Sequence, residues 1–222
     1  MEEETGYLAG TLAGMMTSSH TIGAVGGPPV TAVVNFVEGY RNAAQCINPE
    51  VLVLITYADS FTDPDQGAQI AEAQIAQGAD VLFPAAGPTG TGALLYATQH
   101  GVFGVGVDVD EYLSTFDEGA VFGADLLLTS AMKRLDNGVY LTIADMLAGE
   151  FTSGLVRYGL AEDGVGLAPY HETKALVTHQ MRGILNRVEK GLISGLIDPL
   201  GGCPAILLDY LFLPTTFLSA AP

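Results

Sequence analysis

Short apolar runs of strand length alternate along this chain with longer stretches whose apolar positions recur at helical spacing. That succession is the pattern of a parallel sheet covered by helices on both faces, so the fold class is α/β. Glu4 to Thr17 reads as a helix with Tyr7, Leu8, Leu12 and Met15 on one side. Thr21 to Val25 reads as a strand ending in Gly26-Gly27-Pro28-Pro29, followed by a helix from near Val30 that carries Val33, Val34, Val37 and Tyr40. Val51 to Tyr57 reads as a buried strand, Asp59 to Asp63 as a polar turn, and Pro64 to Gln77 as a helix. Pro64 suits a first helical turn, where its missing N–H is not needed. Asp80 to Pro84 forms the next strand, the glycine-rich stretch Ala85 to Gly92 a turn, and a helix runs on to His100. Val102 to Val107 is a strand leading directly into Asp108-Val109-Asp110.

Beyond this point the pattern predicts a strand over Leu126 to Thr129 and a long helix from Ser130 to about Leu147, weakened by Gly138. Short strands are expected at Leu155 to Leu160 and Val165 to Ala168, and a last helix from Glu172 to Ser194. The units between residues 20 and 128 suffice for one complete lobe, and those after it are too few for a second. The expected division is a remnant of another lobe over 1–19, a complete α/β lobe over 20–128, returning segments and crossovers over 129–198, and an atypical tail over 199–222.

Composition narrows what such a chain can do. Of 222 residues, 49% are apolar and 15% charged, enough for a sizeable core. Twenty-five acidic against eight basic side chains give a net charge of −17, which repels phosphate backbones and argues against a nucleic-acid partner. The two cysteines, Cys46 and Cys203, lie far apart without zinc-site or CxxC spacing, and are read as unpaired thiols. Met1-Glu2-Glu3-Glu4 has neither the basic nor the apolar region of an export signal. Pro204, Asp209 and Pro214 break the apolar tail short of a spanning length.

Ligands of open α/β sheets bind beyond the carboxyl ends of the strands. The loops expected there are Gly26 to Pro29, Asp59 to Asp63, Gly87 to Gly92 and Asp108 to Asp110. The glycine-rich loop lacks the Gly-Lys-Ser/Thr ending of a phosphate cradle and serves either close approach to a ligand or a tight turn. Asp108 could offer two acceptor oxygens to a vicinal diol, such as that of a sugar or ribose, or Asp108 or Asp110 could simply cap the next turn. Lys133 could reach a ligand oxygen or pair with Asp108, or stand solvated on a helix face. Phe61, set between Ser60 and Thr62, could stack on a base or sugar face or plug the space under its loop. The four histidines show neither metal-ligand spacing nor a link to a nucleophile, and no Gly-x-Ser-x-Gly elbow occurs, so catalysis and a cofactor are not expected.

Gly6-Tyr7-Leu8-Ala9-Gly10, Ile22 to Gly27, Asn35 to Tyr40, Gly78-Ala79-Asp80-Val81 and Gly106-Val107-Asp108-Val109-Asp110 occur in that order. Leu128-Thr129-Ser130 with Lys133, Gly149-Glu150-Phe151 and Gly164 to Leu167 continue the series. With these motifs the chain resembles the basic membrane protein family, the substrate-binding lipoproteins of ABC importers that include purine nucleoside receptors. The resemblance covers about residues 5 to 198. It implies a type I periplasmic-binding-protein fold, a parallel sheet flanked by helices, with one lobe complete here and the other partial. It also implies an extracytoplasmic, membrane-anchored or periplasmic setting, a nucleoside-like small ligand and a membrane permease as partners. In nucleoside-binding members an aromatic ring stacks on the base, a carboxylate takes the ribose hydroxyls and a lysine adds a polar contact; the matching positions are Phe61, Gly90, Asp108 and Lys133. The family's opening Asp-x-Ser-Phe-Asn type segment has no counterpart, and the residues after Pro199 do not match the family's ending. A ligand-sensing domain of a receptor or regulator on the same fold is the alternative, and a hydrolase or transferase lacks a nucleophile–base pair.

Overall fold

The computed structural model of the chain describes residues 1–203, so most of the expected tail lies outside the described residues. The helix α1 (Glu2–Met16) leads into β1 (Thr21–Gly26), α2 (Thr31–Ile47), β2 (Leu52–Tyr57), α3 (Pro64–Ala76), β3 (Val81–Ala85), α4 (Gly87–Gln99) and β4 (Phe103–Asp108). Then come the one-turn helix α5 (Glu111–Ser114), β5 (Leu127–Lys133), α6 (Leu135–Ala148), β6 (Val165–Leu167) and α7 (His179–Ile193). The strands form one six-stranded sheet in the order β2-β1-β3-β4-β5-β6. All neighbours are parallel except β6, which runs antiparallel to β5. Residues 127–133 and 165–167, placed by the sequence pattern mainly among segments returning from another lobe, thus pair in this same sheet.

Both faces of the central strands are buried, which is why they read as unbroken apolar runs. On one face, Ile22, Phe83, Val105 and Leu128 pack with Tyr7, Leu12, Phe36, Tyr40 and Val188 from α1, α2 and α7. On the other, Val25 and Leu82 pack with Ala71, Ala93 and Ala97 from α3 and α4. The Tyr40 and Phe83 rings stack with centroids 4.9 Å apart. Glycines at four-residue spacing let α1 and α2 touch backbone to backbone: a Cβ on Gly6, Gly10 or Gly14 would press into the chain at Phe36, Tyr40 or Ala44. Asp63 caps α3, accepting the Gln66 N–H at 3.0 Å, with Pro64 in the first turn as expected.

Several expectations are corrected. β2 is an edge strand, its Leu52 exposed and the rest only partly buried, because the sheet continues on one side of it alone. Ser130 does not open a helix; Ser130 to Lys133 extend β5, and α6 starts at Leu135. The polar side chains at this junction are satisfied inside the sheet region, Thr129 Oγ1 donating to the Ala168 carbonyl at 2.7 Å and Ser130 Oγ accepting from the Glu111 N–H at 3.1 Å. No strand forms over 155–160, where the chain follows a Gly154 at φ 140° into a short turn of 3₁₀ helix at Leu160–Glu162. The last helix is broken: a 3₁₀ turn, His171–Ala175, precedes α7, which begins anew at Thr178, whose hydroxyl accepts from the Met181 N–H. Cys46 and Cys203 are not free thiols but a disulfide, with Cα atoms 5.1 Å apart. The fold carries the end of α7 back to the end of α2, a proximity that spacing in the sequence does not reveal.

One element stands apart. No residue of α6 is buried, and Leu135, Val139, Ile143 and Leu147 are all exposed, as are Leu155 and Val156 beyond it. Among the described residues no helix is long and apolar enough to cross a membrane.

Candidate ligand-binding edge

Parallel strands deliver their following loops to one edge, and five of the strands do so here. Gly26-Gly27 ends β1, the loop 58–63 follows β2, α4 follows β3, Asp108 ends β4 and Lys133 ends β5. Asp108 has φ +67°, a conformation that a non-glycine residue adopts only when its surroundings impose it. The Val109 N–H donates to the Val107 carbonyl at 2.8 Å, closing a three-residue turn around Asp108. This turn frees the Asp108 side chain from helix capping; Asp110 takes that role instead, its Oδ1 accepting the Tyr112 N–H at 3.2 Å. Of the two aspartates expected as possible caps, Asp110 takes that place.

Lys133 lies at the end of a strand, not near the start of a helix as expected. Its Nζ stands 2.9 Å from Asp108 Oδ1 and 5.6 Å from the centre of the Phe36 ring. Their side chains are 28% and 46% exposed, so the pair contributes at most about 1 kcal/mol to stability. Its importance is geometric: it sets a cation and a carboxylate side by side, partly open to solvent.

Phe61 is 37% exposed. Its loop is pinned onto the start of α4 by Thr89, whose N–H donates to the Phe61 carbonyl and whose hydroxyl donates to the Ser60 carbonyl. The Phe61 ring covers Gly27, where a Cβ would fall against it, and lies near Gly87. The ring is therefore folded inward over the ends of β1 and β3, on the same sheet edge as Asp108 and Lys133. Gly90 sits differently. It is buried in the first turn of α4, where a Cβ would come within 2.6 Å of the Pro84 carbonyl, so its evident work is to seat the helix on β3.

Two further groups hold the Asp108 loop, and sequence reasoning missed both. His171 Nε2 lies 2.8 Å from Asp110 Oδ2, and the Tyr112 ring stacks on His171 at 4.0 Å. Tyr112 Oη donates to the Glu118 carbonyl and to Glu172. Glu111 is buried, its carboxylate accepting from the Val107 N–H and from Thr115 Oγ1. Burial pushes the Glu111 carboxyl pKa up and the nearby Asp108 charge adds to this, while the bonds from Thr115 and Val107 pull it down. A contact across 61 residues, as between Asp110 and His171, leaves no local signal. Beside this edge, a largely apolar groove of about 780 Å³ runs between α6 and the starts of α1 and α2, with Lys133 in its wall. No cluster of three or more metal-ligating side chains occurs among the described residues.

A mostly parallel sheet covered on both faces, with a partly exposed cation, carboxylate and ring at its carboxyl edge, is an α/β lobe with a candidate ligand edge. Residues 1–199 match the family described as Bmp, ABC transporter substrate-binding protein PnrA-like, and the chain belongs to that family of substrate-binding proteins. It is 34% identical over 184 residues to the CD4+ T-cell-stimulating antigen of Listeria monocytogenes, covering 77% of this chain and 50% of that one. It is 33% identical over 177 residues to the ABC transporter nucleoside-binding protein BmpA of Lactococcus lactis subsp. cremoris, covering 75% and 50%. The chain spans about half the length of the curated relatives it matches. Among solved structures it is similar to a transcriptional activator of the comK gene from Bacillus halodurans, with a TM-score of 0.76 at 21% identity over 87% of this chain and 63% of that one. It is also similar to an ABC transporter solute-binding protein from Conexibacter woesei, with a TM-score of 0.69 at 23% identity over 89% and 62%. At those identities the likeness is one of fold.

Proposed function

We propose that the chain forms the ligand-carrying lobe of an ABC importer's solute-binding component and that its ligand is a purine nucleoside or a similar small polar solute. The observation that carries this reading is Asp108, held in a strained turn beside Lys133 on the edge that also carries Phe61. In this assignment Phe61 stacks on the base, Asp108 takes the ribose hydroxyls, Lys133 adds a polar contact and Gly90 seats α4 beneath them. The name of the Lactococcus relative supports the same ligand class. The partners are then the nucleoside and a membrane permease, and the setting is extracytoplasmic. The Cys46–Cys203 disulfide fits that setting, since such bonds persist in oxidising compartments.

Residues 134–158 belong, in this reading, to a second lobe. Their apolar side chains lie in water and line the groove beside Lys133, whereas monomeric proteins rarely leave large contiguous apolar patches exposed. The half of the relatives' length that this chain does not span is the natural source of that lobe.

Calorimetric titration of guanosine, inosine and adenosine into the full-length protein tests the assignment. Asp108→Ala should weaken binding by about 10- to 150-fold, the equivalent of one hydrogen bond to a charged group. The 222-residue chain alone should bind far more weakly than the full-length protein. Unchanged affinity in Asp108→Ala removes the site. A sensory domain on the same fold is the second reading, favoured by the likeness to the Bacillus activator; neighbouring permease and ATPase genes would decide for import.

A further inference from the structure

We propose that Glu111 is a positioning residue for Asp108: its buried carboxylate clamps Val107, the residue from which the strained Asp108 turn springs. The inference rests on the reading above only in making Asp108 the ligand contact; the clamp itself is a matter of geometry.

A carboxylate shut away from water is costly unless its oxygens are bonded. Glu111 is 4% exposed, and both oxygens are used. Oε1 accepts the Val107 N–H at 3.1 Å and Oε2 accepts the Thr115 hydroxyl at 2.8 Å. The Glu111 backbone is fixed as well, its N–H donating to Ser130 Oγ on β5. The chain makes room for this side chain: a Cβ on Gly106 would come within 3.0 Å of the Glu111 Cβ and 2.5 Å of Ser130 Oγ.

Val107 is held at both of its polar backbone groups. Its N–H goes to Glu111, and its carbonyl accepts the Val109 N–H that closes the turn. Three-residue turns with a positive central φ are rare and strained, and they persist only where neighbouring contacts over-determine them. β3 offers little such support, because its pairing with β4 ends at Gly104. β5 does pair there, with Val107 beside Ala131 and Asp108 beside Met132, and Glu111 supplies from a side chain the partner for the Val107 N–H that β3 does not. Burial raises its pKa, so the group is kept in place against a cost that a merely space-filling residue would not incur.

The test compares amide hydrogen exchange by NMR in the wild type, Glu111→Ala and Glu111→Gln. Glutamine keeps an oxygen for the Val107 N–H and a group that can bond Thr115. Glu111→Ala should lower protection of the Val107 and Val109 amides by at least about tenfold while the β1 amides keep theirs, and Glu111→Gln should restore most of it. Thr115→Val, which loses one of the two donors, should give a smaller loss at the same two amides. It also serves as the deciding variant if Glu111→Ala does not fold. In the full-length protein, nucleoside affinity should fall in Glu111→Ala as far as in Asp108→Ala and recover in Glu111→Gln. The inference is overturned if Val109 stays protected in Glu111→Ala, if all core amides lose protection together, or if Glu111→Gln fails as alanine does. With Glu111→Ala unfolded, unaltered exchange in Thr115→Val overturns it equally. Absence of nucleoside binding by the wild type would count against the ligand assignment, while the exchange comparison would still decide the clamp.

Discussion

Removing the Cys46–Cys203 disulfide should destabilise the protein by an amount that follows from its place in the chain. The bond joins residues 157 positions apart, from the last turn of α2 to the segment after α7. In the chain-entropy account, a loop of that length restricts the unfolded state by about 5 kcal/mol, with native-state strain and residual unfolded structure lowering the measured value to about 2–5 kcal/mol. For a domain of this size each kcal/mol moves the melting temperature by roughly 2–4 °C, so a loss of about 4–20 °C is expected. Cys203→Ser is the cleaner variant, because Cys46 is buried and stays in the core as a small apolar group. Circular-dichroism melts of wild type with and without a phosphine reductant, beside Cys203→Ser, measure the effect. The hydrogen bond from Asn42 Nδ2 to the Pro199 carbonyl should keep the segment near α2 after reduction, so the native spectrum should survive at low temperature. Melts that agree within 2 °C with and without reductant, or an intact mass showing two free thiols in air-oxidised protein, would refute the reasoning.

Glu111→Gln should also change how stability varies with pH. The folded protein raises the pKa of this carboxyl, chiefly by burial, so its favourable contribution is full below the ordinary carboxylate range and is lost as pH climbs through the raised value. The variant's melting temperature should therefore gain on wild type from acid pH to neutrality, and a gap that does not vary with pH would count against it. Along the α1–α2 contact, Gly10→Ala forces a methyl into the Tyr40 backbone and should cost about 1–3 kcal/mol in urea unfolding. Gly138→Ala, in the exposed α6 with only the Tyr158 ring in ordinary contact, should instead gain up to about 1 kcal/mol. Equal effects of the two alanines would show that the helices do not touch as described.

The regular part of the fold was legible because periodicity and punctuation agree there. From β1 to β4 the apolar runs and the Asp63-Pro64 start of α3 point to one answer and the boundaries fall within two residues, except at α4, which begins at Gly87 inside the stretch Ala85 to Gly92 read as a glycine-rich turn. Reading failed where a polar residue serves a distant partner. Ser130 looks like a helix start, yet its hydroxyl accepts from the Glu111 N–H within β5, beside Thr129 whose hydroxyl meets the Ala168 carbonyl. The disulfide and the Asp110–His171 contact join positions whose proximity is made by tertiary packing alone. Phe61, Asp108 and Lys133 could be nominated because parallel strands send their following residues to one edge whatever the details. Glu111 escaped notice for the opposite reason, acting on the main chain of its own loop rather than facing outward.

The chain leaves the sheet at Lys133 and returns before Val165, and Arg134 ties these two passages together. Its N–H donates to the Gly164 carbonyl at 2.9 Å, and its guanidinium bridges Asp136 and Asp163. Asn137 adds to this link, its side-chain amide donating to the Glu162 and Asp163 carbonyls, so the root of α6 is bound to the returning segment at two successive places. Lys133 is the first residue on the sheet side of this link. The link between the two passages therefore sits one residue along the chain from the cation that stands against Asp108.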